Sequence, residues 1–319
     1  MPNTNEIRLQ DHSFMSPIDI VVATDLSDAG YLLPHIVAQA KASGARVTLV
    51  HTLFPANVIF ASSGVPSAPE QARIDHDALL ALRGVAEQIE AQGIQCNTVV
   101  KHGFPVDIIQ QEILRQKASR LILGTHGRNK LGQFVLGSVA RELIREVDIP
   151  VFVVGPGGKE ATAYTTPRTI LHPVSLTGNY EESARLALDI ARRYQAELIL
   201  LHVLDKEVRD EVNAKRTFVW ANNALKALVP DDESLASVHT LTVVGDTVKE
   251  ILTVAEETNA DWMVLGVDGE IRFWTSVDNT AYRLFAASPC PVLTLRHSSH
   301  KQEAHIPSKE HRNYPVALG

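Results

Sequence analysis

Cysteine is scarce in this chain: two residues in 319, Cys96 and Cys290, one in each half and each in or beside a strand-like segment. With no secretory signal in view, they read as buried thiols rather than as a disulfide. Long apolar runs are missing too. None approaches the ~20 residues of a membrane-spanning helix, and the opening Met1 to Gln10 is polar, so the expected compartment is the cytoplasm and no membrane partner is expected. A basic excess is also absent. The net charge of −7 argues against nucleic acid or an anionic membrane as a broad partner. Two familiar phosphate motifs are lacking: no Gly-Lys-Ser/Thr closes a glycine-rich loop, and no Gly-x-Gly-x-x-Gly follows the first strand-like run.

What is present is a soluble globular composition, 45% hydrophobic and 21% charged, at a length that suits two ordinary domains. One stretch organises the reading. The apolar run Leu121-Ile122-Leu123 stops at Gly124, and Gly127, Gly132 and Gly137 punctuate the residues that follow. An amphipathic segment then begins, Ser138-Val139-Ala140-Arg141-Glu142-Leu143-Ile144. This is a buried strand, a glycine-rich loop and a helix whose first turn Ser138 opens. Bare backbone N–H groups in such a loop can approach an anion closely. A helix N-terminus adds unpaired donors and a partial positive charge. Arg128 supplies a full charge, and the Ser138 hydroxyl either caps the helix or donates to phosphate. On the loop alone, glycines that merely turn a strand into a helix explain the pattern equally well.

The rest of the chain is strand and helix in alternation. Ile18 to Ala23 is a β-branched apolar run ending in the turn residues Thr24-Asp25-Leu26-Ser27. A helix is expected over about 30–41, a second strand from Arg46 to Leu53, a loop from Pro55 to Pro69, and a long helix over about 70–92. A third strand over 94–101, a helix beginning at Gly103-Phe104-Pro105, the strand into Gly124 and a fifth strand from Ile149 to Val154 complete the set. Such alternation implies a parallel, doubly wound sheet with ligands beyond the C-terminal strand ends, where Asp25, Thr52 and Gly124 fall. After Gly155-Pro156-Gly157-Gly158 the same order starts again. Ile170 to Ser175 repeats the first strand, and Leu198 to Leu204 the second, with His202 matching His51. Trp262 to Gly266 matches the strand into Gly124, and Cys290 to Leu295 the fifth. The expected division is a flexible lead-in over 1–16, domain one over 17–156, a linker over 157–168, domain two over 169–296, and a disordered polar tail over 297–319 whose scattered histidines are solvated.

Gly124-x2-Gly127-x9-Gly137-Ser138, after a first strand ending Ala23-Thr24-Asp25-Leu26-Ser27, resembles the ATP-binding type of the universal stress protein family. Each half is similar to one such domain. The resemblance implies an α/β fold of two tandem doubly wound five-stranded parallel-sheet domains, Rossmann-like and of the adenine nucleotide alpha hydrolase type. It also implies that Asp25 lies by the adenosine, that Ala23, Thr24 and Thr52 flank the base, and that Gly124, Gly127, Arg128, Gly137, Ser138 and Val139 hold ribose and phosphates. The expected ligand is ATP, accompanied by Mg²⁺ bound mainly through phosphate oxygens and water. A strand-end carboxylate suits an adenosine donor, although Asp25 as the cap of the following helix is the plainer alternative.

The second half departs from this pattern. Ser175 stands at the aspartate position. Gly266 and Gly269 keep their spacing, but Glu270 replaces Arg128, and Asp278-Asn279-Thr280 stands where Gly137-Ser138 would recur. Like charges at ~4 Å cost about 1 to 4 kcal/mol, enough to cancel much of a modest nucleotide affinity. The second half is therefore expected to bind ATP poorly and to serve as a structural partner. His126 has no serine or cysteine partner for nucleophilic catalysis, and no catalytic residue is assigned. The expected function is regulatory ATP binding in a stress response. A nucleotide-independent scaffold built on Val-rich fifth strands is the rival, and a slow ATPase or adenylating enzyme a weaker one. An internal pseudo-dimer of the two halves is expected, with a homodimer of chains also open.

Overall fold

The computed structural model describes residues 19–54, 67–125, 136–155, 166–177, 180–204, 211–229, 237–267 and 280–296. The expected lead-in, the tail, most of the 55–69 loop and most of the linker lie outside them. In the first half, β1 (Ile20–Ala23), α1 (Ala29–Ser43), β2 (Val47–Leu53), α2 (Ala68–Glu90), β3 (Cys96–His102), α3 (Pro105–Gln116), β4 (Arg120–Gly124), α4 (Ser138–Glu146) and β5 (Val151–Val154) alternate as anticipated. The second half repeats them as β6 (Thr169–Pro173), α5 (Tyr180–Tyr194), β7 (Glu197–Leu204), α6 (Glu211–Ala227), β8 (Ser237–Val244), α7 (Thr247–Glu257), β9 (Trp262–Val267), α8 (Thr280–Ala287) and β10 (Val292–Arg296).

Local chemistry explains the helix ends. Ser67 and Glu70 form a reciprocal capping box before α2, with the Ser67 N–H donating to Glu70 Oε2 at 2.8 Å. Pro105 opens α3, where a missing N–H costs nothing. Gly44 closes α1 at φ 67, the left-handed conformation that a residue without Cβ takes freely.

Each half is a parallel five-stranded sheet, and the two form one ten-stranded sheet in the order β3-β2-β1-β4-β5-β10-β9-β6-β7-β8. The junction is antiparallel: Val292 lies opposite Val153, Leu293 opposite Phe152 and Thr294 opposite Val151. The halves thus pair through their fifth strands within a single chain. Buried on both faces, the strands split their residues between two cores. Ile20 and Val22 point into one with α1 and α2; Val21 and Ala23 point into the other with α3 and α4. Each core runs across the junction into the second half, taking Ile170 and Leu293 on one face and Leu171 and Val292 on the other. Cys96 and Cys290 are free, buried thiols; burial pushes each up to about 12. Among the described residues no helix is long and apolar enough to cross a membrane. Strand order reverses between β1 and β4, so the crevice at their C-terminal ends is the place where such a sheet admits a ligand.

Candidate functional site

The crevice is built from the turn after β1, the end of β2 and the loop after β4. Asp25 does not cap α1. Its Oδ1 accepts from the Ser27 N–H at 2.9 Å and the Ser27 hydroxyl at 2.6 Å, folding the turn back on itself, while Asp28 takes the N-cap position. No hydrogen bond to Oδ2 of Asp25 is formed by the described residues. Thr24 is consumed by the turn. Its hydroxyl donates to Asp28 Oδ1 and accepts from the Leu26 N–H at 2.9 Å, and its own N–H bonds to Val50. The Thr24 carbonyl accepts from His51 Nδ1 at 2.9 Å, which fixes the orientation of that imidazole. Thr24 therefore has its N–H and O–H donors engaged within the turn and the sheet. Ala23 ends β1 in the core, and Thr52, half-buried, is the penultimate residue of β2.

Gly124 ends β4 in a tight place. A Cβ there would stand 2.5 Å from the Tyr31 hydroxyl oxygen and 2.7 Å from Asp28 Oδ2, so a larger residue would have to push those two side chains aside. The ends of the following loop are tied together, the Gly137 N–H donating to the Thr125 carbonyl at 3.0 Å. Gly137, not Ser138, is the N-cap of α4, and no side chain of the described residues caps it. Of the two roles left open for the Ser138 hydroxyl, capping is therefore not the one adopted. As the first helical residue Ser138 is exposed, Val139 beside it is partly buried, and the first turn of α4 carries N–H groups without partners inside the helix. Gly127 and Arg128 lie outside the described residues, as do His126 and, in the second half, Gly269, Glu270, Asp278 and Asn279.

Two features escaped the sequence reading. Asp28 is buried, 4% exposed, and removal from water pushes its carboxyl up to about 7; the Thr24 hydroxyl pulls it down and Asp25 pushes it further up. Its place on the stripe Asp28, Leu32, His35, Gln39, which α1 buries, was the available signal. The second half also reaches the start of α4 in the first half. The Tyr282 ring lies under the Arg141 guanidinium, 5.1 Å from ring centre to carbon, and its hydroxyl donates to the Leu136 carbonyl at 3.5 Å.

The sequence profile of the universal stress protein family matches residues 19–155 and again 167–296. The chain belongs to the universal stress protein family. A family member from Methanocaldococcus jannaschii is 28% identical over 146 residues, 44% of this chain and 84% of that one. Another, from Thermus aquaticus, is 27% identical over 140 residues, 42% of this chain and 96% of that one. The crystal structure of a universal stress protein from Archaeoglobus fulgidus superposes with a TM-score of 0.69 at 20% identity, over 91% of this chain and 99% of that one, which establishes the tandem fold.

The two halves keep the same turn with different chemistry. Leu26 and Leu176 both adopt positive φ, 71° and 54°. His202 Nδ1 donates to the Val174 carbonyl at 2.7 Å, as His51 does to Thr24. At the aspartate position Ser175 instead exchanges hydrogen bonds with Thr177, so the second turn carries no carboxylate there.

Proposed function

We propose that this universal stress protein is a regulatory adenine-nucleotide-binding protein that holds ATP, with Mg²⁺, in its first half. The observation that carries the reading is a convergence in the β1/β4 crevice. An aspartate with one oxygen unengaged by the described residues shares the crevice with a start of α4 that no side chain of the described residues caps, and with a glycine whose Cβ position is crowded by Tyr31 and Asp28. In this reading Asp25 accepts a hydrogen bond from the adenosine. Ala23, Thr24 and Thr52 flank the base, and Gly124, Gly127, Arg128, Gly137, Ser138 and Val139 contact ribose and phosphates. The described donors there are main-chain amides and one hydroxyl, a set suited to phosphate oxygens. Mg²⁺ would then take its ligands from those oxygens and water. Nucleotide occupancy biases a conformation or a partner, and the cytoplasm is the proposed compartment.

The second half is proposed to be a structural partner that binds ATP poorly. Support comes from the loss of the carboxylate at Ser175 and from the contacts of Tyr282 with Arg141 and Leu136. A scaffold without nucleotide is the rival, favoured by the pairing of the fifth strands. Acid denaturation of protein purified without added nucleotide separates the two. Release of ATP or AMP from the parent chain, and none from Asp25→Ala, is the expected result. Absence of nucleotide from the parent chain, coupled with no affinity on titration, favours the scaffold.

A further inference from the structure

We propose that Asp28 is a further positioning residue of the first half's nucleotide site, a proton-carrying carboxyl wedged behind Gly124 whose proton is linked to nucleotide binding. The proposal rests on the reading of that half as the nucleotide site. Three elements close on this one side chain. From the end of β1, the Thr24 hydroxyl donates to Oδ1. From the first turn of α1, the Tyr31 hydroxyl oxygen lies 2.5 Å from the point a Cβ on Gly124 would occupy; Asp28 Oδ2 lies 2.7 Å from the same point and Asp28 Cβ 3.2 Å. From β4, Gly124 itself supplies the space. The glycine, the carboxyl and the two hydroxyls form one packed unit at the strand end where the phosphate loop begins.

Charge decides the state of that carboxyl. The titratable groups facing it among the described residues are Asp25 in the turn and Tyr31 in α1; Gly124 and the buried Thr125 bring none. An ionised Asp28 would be a desolvated anion beside a second carboxylate, with the Thr24 hydroxyl as its side-chain hydrogen-bond donor among the described residues. Holding a proton removes that cost, and burial accordingly raises the group to about 7. A polyphosphate seated beyond Gly124 adds negative charge on the same side and raises it further. The nucleotide-bound protein therefore holds the proton more tightly than the free protein. By linkage, binding takes up a proton near neutral pH, and affinity falls as pH rises from 6 to 8.

The test is calorimetric titration of ATP into the full chain and into Asp28→Asn, at several pH values between 6 and 8.5 and in buffers of different ionisation enthalpy. Titration of the ATP phosphates is common to both proteins and cancels in the comparison. The expected result is an extra fraction of a proton taken up by the parent chain, and a loss of affinity with rising pH at least about threefold greater than in Asp28→Asn. Identical pH profiles and identical proton uptake overturn this proposal alone. Failure of both proteins to bind ATP at every pH overturns the reading of the site and the proposal with it. A measurement that needs no variant runs beside it: the ¹³C shift of the Asp28 carboxyl in the nucleotide-free chain is expected to titrate near neutrality. A midpoint in the ordinary aspartate range contradicts the proposal whatever the fate of the variant.

Discussion

Arg120 and Trp262 hold matching places in the two repeats, Arg120 opposite Ile20 on β1 and Trp262 opposite Ile170 on β6, and both are buried. Their chemistry has diverged. Trp262 packs edge-on against Phe152 of the first half, with ring centres 5.1 Å apart, and against Tyr194 at 4.9 Å. Arg120 donates to Gln39 Oε1, and removal from water pulls its guanidinium down to about 10. Duplicated elements thus meet at a junction whose two sides are not copies of each other.

That aromatic stack sets the first prediction. Trp262→Ala removes a 4%-exposed indole at the junction and is expected to destabilise the chain by about 3 to 5 kcal/mol. Trp220→Ala, at a position 53% exposed on α6, is expected to change stability by less than about 0.5 kcal/mol. Urea unfolding of the two variants checks the contrast.

The strand ends were legible in the sequence because β-branched apolar runs stopped at turn residues, and the repeat was legible because the order recurred. Pairing of the two fifth strands within one chain was expected from the resemblance; its antiparallel sense, with Val153 opposite Val292, was not. Side-chain direction within the Thr24–Asp28 turn was not legible. Two acidic residues three positions apart read alike, yet Asp25 keeps an oxygen clear of the turn and Asp28 is turned into the core. Nor could spacing show Tyr282 under Arg141, a contact between residues 141 positions apart that exists only once both halves have folded.

Gly124→Ala is expected to weaken nucleotide binding and to destabilise the first half by about 1 to 3 kcal/mol, since the new methyl meets Asp28 and Tyr31. Tyr31→Phe in the same chain removes the nearer oxygen and is expected to restore part of the stability. Thermal unfolding of the single and double variants reads the effect; equal losses in both would show that the crowding lies elsewhere.

Stability should also depend on pH through Asp28. Its folded-state value, about 7, lies above the ordinary aspartate value of 3.8, so the folded chain binds more protons than the unfolded one between those limits. The stabilising contribution is full below about pH 4 and is lost as pH rises through about 7. Asp28→Asn removes that dependence. The parent chain is expected to lose up to about 4 kcal/mol more than the variant between pH 4 and pH 8, as three pH units at about 1.4 kcal/mol each imply. Chemical denaturation of both across that range measures it.

Tyr282 belongs to the second half yet supports the start of α4 in the first. Tyr282→Ala is expected to lower the affinity of the first half for ATP by about three- to tenfold through loss of the contact with Arg141. Calorimetric titration of the variant checks this. An unchanged affinity would confine Tyr282 to holding the halves together.

The most direct measurement is the stoichiometry of ATP on the full chain, by native mass spectrometry and titration, for the parent protein and Asp25→Ala. One ATP per parent chain, and none on Asp25→Ala, is the predicted result. Two per chain, or one that persists undiminished in Asp25→Ala, would contradict the assignment of nucleotide binding to the first half.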